Sequence, residues 1–212
     1  ILRSKDILRS SAEDFAIVLL GGAHSNISFD DNRFEDGHLG LLKTNNLIAY
    51  DLTIKNNTFN DQLLGNIHLE TTSGTVIQKN RMMTISTDDN FKSIFLSDAK
   101  NQFDILQNTF DLNDGIGINI INSQINSSNF GLVANNMIAL NSTSTATGID
   151  FDNVSQVNLL HNSINIYGLA TNTDALKLNQ YANGSILNNI FSNAADGYAV
   201  NVVDAFLLNS TM

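Results

Sequence analysis

The segment ILQNTF, residues 105–110, contains the pattern that decides the fold. It consists of an apolar residue, two variable residues, an asparagine, one variable residue and a second apolar residue. Seven copies occur, and their asparagines are Asn32, Asn57, Asn80, Asn108, Asn136, Asn162 and Asn189. The gaps between them are 25, 23, 28, 28, 26 and 27 residues, so the chain is a repeat protein with a period of about 26. Residues 7–12 and 206–211 are candidates for two degenerate further copies.

Between the asparagines lie short apolar segments whose polarity alternates, such as IFL at residues 94–96 and LKL at 176–178. Such alternation is typical of short strands with one buried face, and no segment combines a helical period with helix start and stop signals. Short strands, a variable period and a fixed asparagine predict an all-β fold. We expect a right-handed parallel β-helix solenoid of about seven coils, formed by residues 1–212 as one domain and as an excerpt of a longer chain.

The repeated asparagine has a predicted structural role in this fold. The chain contains 32 asparagines and no proline, and asparagine tolerates the left-handed conformation that a sharp corner requires. Stacked amides can also hydrogen-bond from coil to coil, as in cross-β asparagine ladders. We therefore expect a buried ladder, with the apolar residues three before and two after each asparagine pointing inward. Residues 83–91, 139–148 and 169–173 are expected to be outward loops, where solenoids often bind their partners.

Composition excludes several classes of function. The net charge is −10, and the 11 Lys and Arg residues form no basic cluster, so we expect no nucleic-acid partner. The absence of cysteine rules out disulfides and cysteine zinc sites. The four histidines share no metal-ligand spacing, and no apolar run is long enough to cross a membrane. No cofactor or metal is predicted, although calcium bound by carboxylates stays open.

The repeats resemble those of a known superfamily. ILQNTF (105–110), LLHNSINIYG (159–168) and ILNNIFSNAADGYAV (186–200) resemble repeats of right-handed parallel β-helix proteins of the pectate-lyase-like superfamily. The stretch from roughly 157 to 202 is similar to repeats in large surface proteins of Bacteroidota exported by type IX secretion. That superfamily includes polysaccharide lyases, glycoside hydrolases and adhesins. The resemblance implies a secreted or cell-surface location and a connection with glycans, but no particular reaction.

Four polar side chains are the candidate glycan-binding residues: Asp30, Lys55, Gln78 and Asp104. Each lies two or four positions before its repeat asparagine, so all four are expected on one outward face in successive coils. A carboxylate, an ammonium and an amide at this spacing can bind a sugar, or they can form an ordinary solvated face. No lyase or hydrolase signature occurs at matching positions, so no catalytic residue is assigned.

These observations support three hypotheses. The first is a non-catalytic extracellular module for adhesion, glycan binding or surface display, with a polysaccharide or cell-surface glycan as partner. The second is a polysaccharide-degrading enzyme, or its β-helix portion, with its site near Asp30. The third is a structural stalk segment whose partners are further domains or coils of the same polypeptide.

Overall fold

Parallel strands form nearly all of the regular structure. The computed structural model describes residues 1–3, 16–125 and 129–204, and in these parts of the chain every element is a strand. The strands stack into three parallel sheets, and each coil of the chain visits the three sheets in turn. The predicted fold class, an all-β parallel β-helix of about seven coils, is therefore confirmed. The single-domain assignment of residues 1–212 stays a prediction.

The strands are grouped by their position relative to the repeat asparagine. Sheet I precedes it and contains β3 Ser28–Asp30, β7 Thr53–Lys55, β11 Thr75–Gln78, β14 Phe103–Leu106, β17 Gly131–Ala134, β20 Val157–Leu160 and β23 Ile186–Leu187. Sheet II follows it and contains β1 Leu2–Arg3, β4 Arg33–Glu35, β8 Thr58–Asn60, β12 Arg81–Met83, β15 Thr109–Leu112, β18 Met137–Ser142, β21 Ser163–Gly168 and β24 Ile190–Asn193.

Sheet III completes each coil and has the longest strands. It contains β2 Ala16–Leu19, β5 Leu39–Lys43, β9 Gly65–Glu70, β13 Lys92–Ser97, β16 Gly115–Ile121, β19 Thr145–Ser155, β22 Asn172–Ala182 and β25 Gly197–Asp204. Two short strands, β6 Ala49–Tyr50 and β10 Thr72–Ser73, pair in the connection from sheet III to sheet I.

The asparagine ladder runs along the corner between sheets I and II. At Asn108, the side-chain Oδ1 accepts hydrogen bonds from the backbone N–H and the Nδ2 of Asn80, both at 3.0 Å. Its Nδ2 donates to Oδ1 of Asn136 at 3.0 Å and to the carbonyl oxygen of Ile77 at 2.9 Å. The same donor and acceptor roles repeat from Asn32 to Asn189. The predicted ladder therefore satisfies polar groups that are buried at the corner.

The sharp turn itself is made by a different residue from the one expected. The left-handed conformation lies one position before each ladder asparagine, at Asp31, Asn56, Lys79, Gln107, Asn135, His161 and Asn188, with φ between 55° and 57°. The prediction that the ladder asparagine adopts this conformation is wrong. The physical reason is that two adjacent residues have different roles at the corner. The residue that turns the chain points its side chain outward, and the next residue directs its amide into the stack.

Inward side chains form continuous columns between the sheets. The residues two positions after the ladder asparagine are paired in register along sheet II, and five consecutive members from Phe59 to Ile164 are at most 2% exposed. Phe34 stacks on Phe59 with a centroid distance of 4.5 Å and an interplanar angle of 5°. Burial of these columns supplies the hydrophobic part of the stability, because stacked coils remove their apolar faces from water.

Of the three predicted outward loops, one is found, one is found in a shortened form and one is not found. Residues 84–91 connect β12 to β13 as a long loop, as expected. In contrast, residues 139–142 and 145–148 continue β18 and β19, so only residues 143–144 lie between these strands. Between β21 and β22 only residues 169–171 are outside the strands. The predicted degenerate copies at 7–12 and 206–211 lie outside the described residues.

Candidate functional site

The four residues predicted from the sequence do lie on the outer face of sheet I. Asp30 is in register with Lys55, which is in register with Gln78. Asp104 belongs to a neighbouring row, where it pairs with Val76 and with the next coil. The structure thus brings three of the four side chains into one row and places the fourth two residues away along the strand.

Within that row the polar groups bind mainly to their own neighbours. Asn56 donates to Asp30 at 2.8 Å, and the Lys55 ammonium lies 3.3 Å from the same carboxylate. The bond from Asn56 lowers the pKa of Asp30, desolvation opposes this shift, and Lys55 lowers the pKa further. Gln78 donates to Gln107 at 3.1 Å. A glycan at this row would have to replace contacts that are already made, so the glycan-binding role of these residues stays a prediction.

Asp104 lines a shallow groove. Its Oδ1 is buried and has no hydrogen-bond partner among the described residues, and burial raises the pKa of its carboxyl group. The groove has a volume of about 220 Å³ and is also lined by Gly74, Thr75 and Phe103. Thr75 Oγ1 is likewise buried without a partner.

A richer set of functional groups lies on the outer face of sheet III. One row, in register from coil to coil, contains Leu42, His68, Phe95, Asn119, Asp150, Lys177 and Asn201. Flanking rows add Asp152 and Asn179 on one side, and Asp174 and Tyr198 on the other. Alternation of side chains along a strand places the Asp150 row and the Asp152 row on the same outward face. Asp174 lies three residues before Lys177, so alternation alone does not place it there, but its bond with Asn201 at 3.0 Å shows that it shares this face.

Three carboxylates on this face, those of Asp150, Asp152 and Asp174, each accept a bond from an asparagine of a neighbouring coil. Asn119 Nδ2 lies 3.3 Å from Oδ2 of Asp150. Asn179 Nδ2 donates to Asp152 at 2.7 Å, and Asn201 Nδ2 donates to Oδ2 of Asp174 at 3.0 Å. These bonds fix the orientation of the carboxylates, so their remaining oxygen lone pairs are pre-organised acceptors. We call Asp150, Asp152, Asp174, Lys177, Tyr198 and Asn201 the sheet III patch.

Asp174 has an unusual environment within the sheet III patch. The residue is only 7% exposed, yet its Oδ1 has no hydrogen-bond donor among the described residues. A buried acceptor without a donor costs about 1–3 kcal/mol. Native proteins rarely keep such a group, and here it lies in a patch of oriented carboxylates.

Tyr198 lies beside Asp174 on β25, the last strand that the structure describes, and its side chain is exposed there. An exposed tyrosine offers a flat apolar surface to a ligand, and it loses little conformational freedom when the ligand binds. Lys177 is the register neighbour of Asp150 and is half-buried. The sheet III patch therefore combines an aromatic platform, three oriented carboxylates and one ammonium.

Electrostatics distinguishes Asp150 from the other carboxylates. Burial raises the pKa of Asp150, and the nearby charges of Asp152 and Asp174 raise it further, whereas Lys177 and Lys92 oppose the shift. A carboxyl group with a raised pKa among other carboxylates is a feature of many functional sites. The Asp150 carboxyl group is partly removed from water, and the nearby lysines Lys177 and Lys92 do not fully offset the effect of burial on its pKa.

The N-terminal half of the same face has a different character. The Phe95 ring lies 4.3 Å from the ring of His68, and Lys92 Nζ lies 4.6 Å above the centroid of Phe95. His68 also contacts Glu70 at 3.3 Å, and burial lowers the pKa of the imidazole despite that carboxylate. Phe95 is only 6% exposed, so these side chains cover one another and leave no free aromatic platform.

The sequence contained a signal for the sheet III patch that the site prediction did not use. The members of this row each lie between two apolar residues in the short alternating segments from which strands between the asparagines were predicted. These central residues are His68, Phe95, Asn119, Asp150, Lys177 and Asn201. Aligning those segments on their apolar residues places the central residues in one column. The partial burial of Asp174 and its missing donor could not be read from the alignment.

The described residues contain no group of three or more His, Cys, Asp or Glu side chains positioned to hold a metal ion. The three carboxylates of the sheet III patch therefore do not form a ready metal site.

Across the parts of the chain that the structure describes, no helix is long and apolar enough to cross a bilayer.

Comparisons of the chain with protein-family models, with curated proteins and with solved structures gave no significant match.

Proposed function

We propose that the chain is an extracellular glycan-binding module, secreted or displayed on a cell surface, which binds saccharides at the sheet III patch. The single observation that carries this proposal is the position of Tyr198 beside the buried Asp174, whose Oδ1 has no hydrogen-bond donor among the described residues. One group offers a surface for the apolar face of a sugar ring, and the other lacks the hydroxyl-type donor that a sugar supplies.

The chemistry of the sheet III patch fits a saccharide. Sugars present several hydroxyl donors around a ring whose C–H faces are apolar, so their sites combine aromatic surfaces with fixed acceptors. Asp150 and Asp152 are oriented by Asn119 and Asn179 before any ligand binds. Such pre-organisation reduces the entropy cost of binding, which matters on an open sheet that encloses a ligand only partly.

The extended shape of sheet III also supports a polymeric ligand. Its strands are stacked in register over eight strands, and adjacent strands are about 4.8 Å apart. Polar side chains therefore recur at a constant spacing along the solenoid axis. This proposal includes an extracellular location, which rests on the sequence resemblance. It also includes membership of the pectate-lyase-like superfamily and a relation to surface proteins of Bacteroidota exported by type IX secretion, on the same basis.

The test is direct binding to a panel of neutral, basic and acidic oligosaccharides by titration calorimetry. We expect at least one class to bind, and we expect Tyr198→Ala to weaken its binding tenfold or more. Tyr167→Ala is the matched control, because Tyr167 is 40% exposed on sheet II. Asp30→Ala tests the row on sheet I. Loss of binding in Asp30→Ala with retention in Tyr198→Ala would assign the site to sheet I, and no binding at all would favour a stalk segment.

A second candidate function is polysaccharide hydrolysis at the same patch. The specific observation is the raised pKa of Asp150 beside the carboxylates of Asp152 and Asp174. Glycoside hydrolases use one carboxyl group as a general acid and another as a base or nucleophile. New reducing ends or unsaturated products, formed by the parent chain and absent with Asp150→Asn, would establish an enzyme. Binding without products would retain the non-catalytic module.

A further inference from the structure

We propose that the sheet III patch selects glycans with free amino groups, which are ammonium ions near neutral pH, and discriminates against glycans built from uronic acids. This inference rests on the proposed glycan-binding function and adds the chemical class of the ligand. It derives from the charges, the aromatic group and the unpaired acceptor that meet on β19, β22 and β25.

The charge balance of the C-terminal half of sheet III is strongly acidic. Its outer face presents Asp150, Asp152, Asp174 and Asp204 but only Lys177 as a cation. The ion pairs found among the described residues do not include Lys177. The net charge of the whole chain, −10, has the same sign. A ligand carboxylate would face like charges at short range, whereas a ligand ammonium would be attracted.

Asp174 is the group for which an ammonium is the most effective partner. Its Oδ2 accepts a bond from the neutral amide of Asn201, and its Oδ1 has no partner in the part of the chain that the structure describes. At 7% exposure the carboxylate is largely removed from water, and a buried charge without a counter-ion is costly. A hydroxyl would supply a hydrogen bond alone, but an ammonium supplies a donor and a positive charge, and charge-assisted bonds are about twice as strong.

Tyr198 strengthens the same preference. It lies next to Asp174 in register and is 64% exposed. Cations bind favourably over the face of a tyrosine ring because of the negative potential of its π system. An amino sugar can therefore pack its ring on Tyr198 and direct its ammonium group to the carboxylates. A neutral sugar obtains the packing and hydroxyl hydrogen bonds, but not the attraction between opposite charges.

The test compares three oligosaccharides of equal length at pH 6 and low salt: an oligomer of glucosamine, its fully N-acetylated form and an oligomer of galacturonic acid. We expect the glucosamine oligomer to bind at least tenfold tighter than the N-acetylated one, and the galacturonate to bind most weakly. Raising the salt concentration should weaken the first interaction and leave the second nearly unchanged. Equal binding of the first two, or tightest binding of galacturonate, would overturn the inference but leave the glycan-binding function standing.

Variants separate the contributions of charge and ring. Asp174→Asn should reduce glucosamine-oligomer binding about tenfold and change binding of the N-acetylated form less than twofold. Asp152→Asn, which alters a half-buried side chain, provides the same comparison if Asp174→Asn does not fold. Asp111→Asn on the exposed face of sheet II is the control for a change of one charge and should have less than a twofold effect. Equal losses for both oligomers in Asp174→Asn and in Asp152→Asn would contradict selection by charge.

An oligolysine of matched charge tests whether the sugar itself matters. We expect it to bind at least tenfold more weakly than the glucosamine oligomer, and Tyr198→Ala to leave its binding nearly unchanged. Oligolysine binding as tight as that of the glucosamine oligomer would identify a general polycation surface and refute the glycan class. If none of the three saccharides binds, the proposed function fails together with this inference.

Discussion

Replacing Asn108 by Leu tests the ladder at the position where the structure makes it most complete. Asn108 is fully buried, and its side chain takes part in four hydrogen bonds with Asn80, Asn136 and Ile77. Leucine has a similar size and shape, so the substitution removes the bonds without opening a large cavity. The left-handed conformation is at Gln107, so the backbone at position 108 accepts leucine without strain.

The expected cost follows from what each partner loses. The backbone N–H of Asn80 donates only to Asn108 Oδ1 in the ladder, and an orphaned buried donor costs about 2 kcal/mol. In the other three bonds, the partner atom has a second contact and is not left without a partner when Asn108 is replaced. The loss of each of these bonds therefore costs only about 0.5 kcal/mol. We therefore expect Asn108→Leu to lower the free energy of unfolding by about 3–4 kcal/mol, a large part of the total for a domain of this size.

The assay is urea unfolding followed by far-UV circular dichroism. Asn32→Leu is the matched control, because Asn32 is half-exposed and, among the described residues, its Nδ2 donates to Asn57 and to the Asp30 carbonyl oxygen. We expect the control to cost less than about 1 kcal/mol, since water can replace these contacts. A solenoid can also unfold in sections, which would split the curve rather than shift it. If both variants unfolded with the same free energy as the parent, the ladder would not be a stabilising element.

Three further changes test other parts of the structure. His161 has a φ of 56°, a conformation that glycine adopts without strain and a β-branched residue does not. In the same urea assay, His161→Gly should raise the free energy of unfolding by about 0.5 kcal/mol, and His161→Val should lower it by about 1–2 kcal/mol. The opposite order would contradict the assigned corner. Gly148→Ala places a Cβ against Ile164 and a backbone carbonyl and should cost about 1–3 kcal/mol by thermal unfolding; an unchanged Tm would refute this close packing. Burial raises the pKa of Asp114, but bonds from Ser142 Oγ, at 2.6 Å, and from residues 143–144 outweigh burial and hold the pKa below its usual range. A lowered pKa in the folded state adds stability above about pH 4 that is lost as the pH falls through the folded pKa. The destabilisation in Asp114→Asn should therefore be constant above about pH 5 and shrink below pH 4; a pH-independent difference would show that charge is not involved.

The architecture could be predicted because its determinants are local and repeated. Each copy of the motif places an apolar residue such as Ile105, a ladder amide and a second apolar residue such as Phe110 at fixed offsets, and those offsets define two strands and a corner. The position of the turn within the corner could not be predicted from composition alone. Residues as different as Lys79, Gln107 and His161 adopt the left-handed conformation there, since stacking imposes a backbone geometry that their own preferences do not favour.

The candidate site was harder to predict because it depends on register between distant coils. The sequence placed Asp30 and Lys55 correctly on one face, and their mutual contacts follow from that placement. The missing donor at Asp174 depends on how closely β19, β22 and β25 pack around it. Strand length contributed to the difficulty, because residues 139–142 and 145–148 continue strands that their Ser, Thr and Asn content had suggested were loops.

The asparagine ladder also gives the solenoid a polarity along its axis. From Asn57 to Asn189 each ladder amide oxygen is directed toward the preceding coil, where it accepts from the backbone and side chain of the previous asparagine. The amide dipoles therefore point in one direction and polarise one another. One end of such a stack presents carbonyl oxygens and the other presents N–H groups. Two stacks of this kind can continue one another head to tail, whereas a head-to-head contact would bring acceptor against acceptor.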